Sequence, residues 1–257
     1  MNQLLDVLIG NLGMGLSDFF MLCGVAFLGS FLTVALGIGG GVLVLATMAQ
    51  VLPPTVLVPI HGVVQLGSNI SRAFLMRRYI LTSIVPAFLT GTIIGALLGA
   101  KLVFSLSMPL LQIILALFIL YSVWVPKFSA SSPGKSTFFA VGFGATLVTM
   151  FVGATGVLVS PFVSAACPDR QQYVGTHGAL MTLQHSLKII AFGALGFTYG
   201  PYIPLLCGMI VFGYAGTWCG AHVLLRIPEK AFRIGLKFVL TILACRLIYG
   251  AMRSYLE

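Results

Sequence analysis

The sequence predicts an all-α polytopic membrane protein made of two inverted repeats, each of about five helical segments including one short, broken half-helix. Three observations predict it. Hydrophobic residues make up 59% of the 257 and charged residues only 7%, too little polar surface to keep such a chain in water. Long apolar runs such as 84 to 98 lack the alternation of barrel strands, so helices must be the spanning elements. Finally, two polar-studded stretches repeat: Gly41 aligns with Gly156 at an offset of 115, and His61 with His177 at 116.

The first copy reads Gly39-Gly40-Gly41-Val42-Leu43, followed by His61-Gly62 and Arg72. The second reads Ala154-Thr155-Gly156-Val157-Leu158, followed by His177-Gly178 and Lys188. Asn69 falls on His185 and Arg72 on Lys188. Duplicated broken helices with a cation in each copy suit a transporter of anions.

Element by element, residues 1–16 form a surface segment without a Lys or Arg, so they lack the positive start of a secretory signal. Helices are expected over 17–36, 40–52, 55–75, 81–104 and 109–125, and again over 136–151, 155–166, 174–197, 203–225 and 231–252. The polar stretch PKFSASSPGK beginning at Pro126 divides them: a first repeat over 1–126, a linker over 127–135 and a second repeat over 136–257. A single helix over 17–51 would run roughly 50 Å against a hydrocarbon core of about 30 Å. The chain therefore breaks at the glycines 37, 39, 40 and 41, and correspondingly at Gly153 and Gly156. Backbone freed at such depth is tolerated only where it lines a cavity or is satisfied by protein.

Loop charges orient the copies. Arg77 and Arg78 follow the third helix, whereas the matching stretch 193–200 has no basic residue; Arg226, Lys230 and Arg233 stand opposite Ser107, Leu111 and Ile114. Opposite bias in equivalent loops puts them on opposite membrane faces, with the N-terminus and the Pro53-Pro54 loop outside and the linker inside. Inside loops also account for most of the net charge of +9, so no nucleic-acid partner is implied. Gly91, Gly95, Gly99 and Ala100 match Gly216, Gly220 and Ala221, a small-residue spacing for close helix packing. The five cysteines lack metal or disulfide spacing and read as packing residues, Cys167 before Pro168 included.

Candidate site chemistry lies in the polar residues at depth. Arg72 and Lys188 are costly there unless they face a cavity or snorkel from a helix end. The acids, Asp6, Asp18, Asp169, Glu229 and Glu257, all fall at predicted ends or loops. An anionic substrate is thus the expected partner, held by both cations and by the half-helix N-termini around Gly39, Gly40, Gly41, Thr155 and Gly156. His61, His177 and His185 can donate to oxyanions or carry protons, or simply bridge helices; Gln65, Asn69, Gln184 and Thr176 add neutral donors. No catalytic, metal or cofactor site is expected. An anion channel stays open as an alternative, and so does an intramembrane enzyme using His177, His185 and Cys167, or Ser160 or Ser186. The missing acid and the repeat oppose the enzyme, and free cations oppose a metal-ion transporter.

With its GIGGG break, its second break VGATG, its duplicated halves and a basic helix after each half-helix, the chain resembles the sulfite exporter TauE/SafE (TSUP) family along essentially its whole length. The resemblance implies export of small sulfur-containing or organic anions, such as sulfite, sulfoacetate or other sulfonates. A multi-pass protein of the bacterial inner membrane is expected, with lipid around it and a homo-oligomer possible in it. Moving one negative charge outward across 100 mV, negative inside, releases about 2.3 kcal/mol, enough for a facilitated exporter to sustain a gradient of about fiftyfold.

Overall fold

The computed structural model describes residues 14–36, 39–103, 106–124, 133–167, 169–223 and 229–256. The segment 1–13, Gly37, the linker residues 126–132, Pro168 and Arg226 lie outside the described residues, as do the side chains of Ala221, Glu229, Lys230 and Arg233. Among the described residues there are helices and no strand. The first five helices are α1 (Leu16–Leu36), α2 (Gly40–Met48), α3 (Pro54–Leu75), α4 (Val85–Val103) and α5 (Met108–Trp124). The second five are α6 (Lys135–Val152), α7 (Gly156–Ala166), α8 (Arg170–Ala194), α9 (Ile203–Val223) and α10 (Glu229–Leu256).

Boundaries shift by up to four residues from the sequence expectation, as at the start of α4, the end of α10 and the two places that follow. Helix α2 stops at Met48 and the chain turns through 49–52 before Pro53. Helix α8 begins at Arg170, four residues before the expected 174, because the Asp169 carboxylate accepts from the Gln171 N–H and caps it. Its polar opening, Arg170-Gln171-Gln172, conceals a helix start that hydropathy alone reads as loop.

Among the described residues, five helices are long and apolar enough to cross a membrane: Leu16–Val34, Thr82–Leu102, Lys135–Val152, Gly200–Gly220 and Ile234–Ser254. The outward surface is apolar to match, with Leu97 on α4, Val211 and Trp218 on α9 and Ile242 and Tyr249 on α10 all exposed. In water such a surface would drive aggregation, whereas in a bilayer it faces lipid. The protein is therefore a multi-pass membrane protein. The two long helices missing from that set, α3 and α8, are the polar ones, and they pack directly on one another. Around this central pair, α4 packs on α6, α9 on α1, α5 on α10, α9 on α3 and α4 on α8.

Close backbone approach holds the outer pairs. A Cβ on Gly216 would strike the Phe27 carbonyl of α1, and one on Gly91 the Phe139 carbonyl of α6. Backbone cannot yield as a side-chain tip can, so Gly216→Ala is expected to cost about 1–3 kcal/mol. Thermal unfolding in detergent checks this; Gly144→Ala, where a Cβ meets open space, should leave the transition unchanged.

Half-helix α2 is almost wholly buried, with Val42, Val44, Leu45, Ala46 and Met48 set among Leu22, Leu57, Ile60, Leu115 and Ile119. Half-helix α7 buries Val159 and Val163 against Phe88, Phe138 and Leu180. Each half-helix thus starts deep inside protein rather than at its surface.

Candidate functional site

Both breaks are real turns in the chain. Gly39 has φ of 100° and Gly153 of 82°, a left-handed backbone that a Cβ would strain. Neither half-helix carries a side-chain cap at its start. The first-turn N–H groups of α2 and α7 are therefore left to whatever faces them.

They face a common cavity of about 50 Å³. Gly39, Gly41 and Val42 border it from the first break; Ala154, Gly156 and Val157 border it from the second. Helix α3 adds His61, Gln65, Asn69 and Arg72, and α8 adds His177, Met181 and His185. Thr33 of α1 completes the wall. At about 10–15 Å³ for each water, the space holds roughly three to five waters.

The same histidine-to-carbonyl contact recurs in each half. His61 Nε2 lies 3.0 Å from the Gly41 carbonyl, and His177 Nε2 lies 3.1 Å from the Gly156 carbonyl. A Cβ at Gly156 would crowd the His177 ring, and one at Gly41 the Gln65 amide, so the glycines let the polar helix reach the break. His61 also crosses halves: its Nδ1 is 3.2 Å from the Gly153 carbonyl. A neutral imidazole donates from one nitrogen only; with the proton on Nδ1 it holds Gly153, and Nε2 can accept from Gln65 Nε2 at 3.2 Å.

Arg72 is 6% exposed. Its Nη2 donates to Asn69 Oδ1 at 2.6 Å and its Nε to the Ser68 carbonyl at 3.4 Å, while Asn69 Nδ2 donates to the Gln65 carbonyl. These partners are neutral, and among the described residues no carboxylate pairs with Arg72. His185 is 3% exposed, stands edge-on to the His61 ring at 6.4 Å, and its Nδ1 has no hydrogen-bond partner among the described residues. Tyr173 stacks on His177 with its hydroxyl 2.8 Å from Ser160 Oγ.

Several of the expected site residues do not border the cavity. Lys188 is fully buried, and its Nζ donates to the Gly153 carbonyl at 2.9 Å. Gln184 ties α6 to the second break, donating to Thr146 Oγ1 at 3.1 Å and accepting from Thr155 Oγ1 at 3.2 Å. Thr155 is held in that clamp. Gly40 lies against the Gly29 carbonyl and Thr33 of α1, where a Cβ could not fit. Thr176 is likewise committed, to the Leu81 N–H at 2.9 Å. Conversely, Thr33 and Met181 border the cavity without having been expected there. An isolated Thr in an apolar helix carries no signal, and Met181 occupies the place of Gln65 in the other copy with no polar atom to draw notice.

Chemically, the wall combines one guanidinium, three imidazoles, two carboxamides and two helix starts. Helix N-termini and guanidinium favour negative charge, and no acid stands among the described lining residues to offset them. Among the described residues no cluster of His, Cys, Asp or Glu suits a metal ion.

The sequence model of the family described as sulfite exporter TauE/SafE matches residues 22–247 of the chain, which takes in both breaks and every residue bordering the cavity. Neither a curated protein nor a solved structure gives a significant match.

Proposed function

The chain belongs to the sulfite exporter TauE/SafE family of membrane transporters, and from that premise we propose that it carries small sulfur oxyanions, sulfite in size, outward by alternating access around the cavity between α2 and α7. The family is one of transporters, which sets the intramembrane enzyme aside. One observation carries the proposal furthest: two uncapped half-helix starts and Arg72 meet at a single cavity whose described wall has no carboxylate. A buried guanidinium with only neutral partners is left uncompensated until an anion arrives.

Cavity size favours the small end of the range. An anion of four heavy atoms fits a space of about 50 Å³, whereas a two-carbon sulfonate such as sulfoacetate needs the walls to part. Val42, Val157 and Met181 would meet the less charged side of the substrate.

Alternating access draws support from the helix pairing. Contacts across the halves come in pairs related by the offset of 116: Gly62 of α3 sits under Lys188 of α8, and Gly178 of α8 sits under Arg72 of α3. Gly175 near the start of α8 meets Met76 at the end of α3, so the two equivalent helices run antiparallel. Exchanging the halves also maps the α4–α6 contact onto α9–α1, and α9–α3 onto α4–α8. These relations support a reading of 1–126 and 136–257 as inverted repeats about an in-plane pseudo-twofold.

The experiment is tracer flux of sulfite into and out of proteoliposomes with the membrane potential clamped. Saturable, potential-dependent flux, with unlabelled sulfite competing better than sulfoacetate, is expected. Flux linear in concentration would replace the carrier by a channel, and no anion flux at any potential would overturn the proposal.

A further inference from the structure

The two halves match in sequence but not in what they do at the cavity. At the first break, Gly39, Thr33, Arg72 and His177 all border it. Of their counterparts at the second break, Gly153, Thr149 and Lys188 do not border it, and His61, which does, reaches across to the Gly153 carbonyl with Lys188. Gly153 matches Gly39 through its left-handed backbone. Thr149 matches Thr33 through the offset of 116, which the packing on α1 and α6 also obeys: Gly216 lies on the Phe27 carbonyl and Gly95 on the Phe143 carbonyl.

Around the Gly153 carbonyl the contacts form a clasp. Lys188 Nζ donates to it at 2.9 Å and His61 Nδ1 lies at 3.2 Å, joining the second break to both polar helices. The counterpart contacts, Arg72 and His177 to the Gly39 carbonyl, are not made; Arg72 turns to Asn69 and Ser68, and His177 holds only its own Gly156. Thr149 Oγ1 is buried with no partner among the described residues, whereas Thr33 Oγ1, beside the cavity, donates to the Gly29 carbonyl at 2.8 Å. A buried hydroxyl left unpaired costs free energy, which water or an anion would relieve if the cavity reached it.

We propose that the Lys188–Gly153–His61 clasp is a gate, and that in the opposite-facing state it opens so that Lys188 and Thr149 border the site while Arg72 and His177 close on Gly39. On this proposal the clasped state is open toward the Arg72 end of α3 and shut toward the Pro53-Pro54 end. Lys188 changes partner between states, from a backbone carbonyl to the transported anion. The proposal rests on the anion-carrier reading, but its test does not need an anion.

Single cysteines at Thr149 and Thr33, each in a background with the five native cysteines replaced by alanine, are labelled in sealed vesicles with a membrane-impermeant maleimide from one side and then the other. With Lys188 present, Thr149→Cys is expected to react slowly from the Pro53-Pro54 side, and Thr33→Cys readily from the opposite side. Lys188→Gln removes a charged donor and should speed Thr149→Cys labelling about tenfold or more. Lys188→Arg, which can still donate to Gly153, should keep it slow. Thr33→Cys labelling should fall in the Lys188→Gln background, which also shows that the variant is folded. Equal Thr149→Cys rates with and without the Lys188→Gln change, while Thr33→Cys still reacts from its own side, would overturn the gate. Reciprocal labelling in a protein that moves no sulfite would uphold the gate and overturn the anion reading instead.

Discussion

Arg72→Gln is expected to abolish measurable sulfite transport. Arg72 is the cation among the described residues bordering the cavity, and charged hydrogen bonds contribute about 1.5–3 kcal/mol each, so losing one weakens anion affinity about 10- to 150-fold. Removing it also strands Asn69 Oδ1, which takes the guanidinium at 2.6 Å. Arg72→Lys should restore charge without the planar fork and recover only part of the affinity. Titration with sulfite alongside proteoliposome flux checks both variants, and Arg253→Gln, near the C-terminus and away from the cavity, should behave as wild type.

Gly153→Ala is the second large effect, and it acts on the scaffold before the chemistry. At φ of 82° an alanine pays about 1–2 kcal/mol for the left-handed backbone. Its Cβ would also stand 2.8 Å from Leu45 Cδ1 and 3.5 Å from His61 Nδ1, inside a packed region where overpacking costs about 1–3 kcal/mol more. A clear drop in the midpoint of thermal unfolding is expected, with flux lost in whatever protein remains folded. Gly24→Ala, in a helix and with open space at the Cβ, should be neutral or slightly stabilising.

Much of this was legible in the sequence, because lipid makes polar residues informative. In an apolar chain, a histidine, an arginine and a run of glycines repeated at a near-constant offset mark the breaks and the helices that face them. Hydropathy and breakers place helices at α3 and α8, the two that carry most of the site, but His61, Gln65, Asn69, His177, Gln184 and Lys188 lower their apolar content, and neither stands among the most apolar spans. The repeat marks them as the polar pair. What stayed hidden was direction. Lys188 lies three residues beyond His185, almost one helical turn, so spacing puts both on one face; yet His185 borders the cavity and Lys188 reaches back to Gly153. Such a choice depends on where a carbonyl of another segment lies. Thr33 and Thr149 were hidden for a related reason, since a threonine in an apolar helix ordinarily returns its hydroxyl to its own backbone.

The central claim is that a small anion sits between the starts of α2 and α7, and the most direct measurement is a structure of the purified protein with selenite, the heavier analogue of sulfite, located by its anomalous scattering. A selenium peak between the starts of α2 and α7 and next to Arg72, placed so that the selenite oxygens can accept from the first-turn N–H groups at Gly41 and Gly156, is the predicted result. A protein saturated with selenite that shows no peak in this cavity, or binds it only elsewhere, would contradict the account.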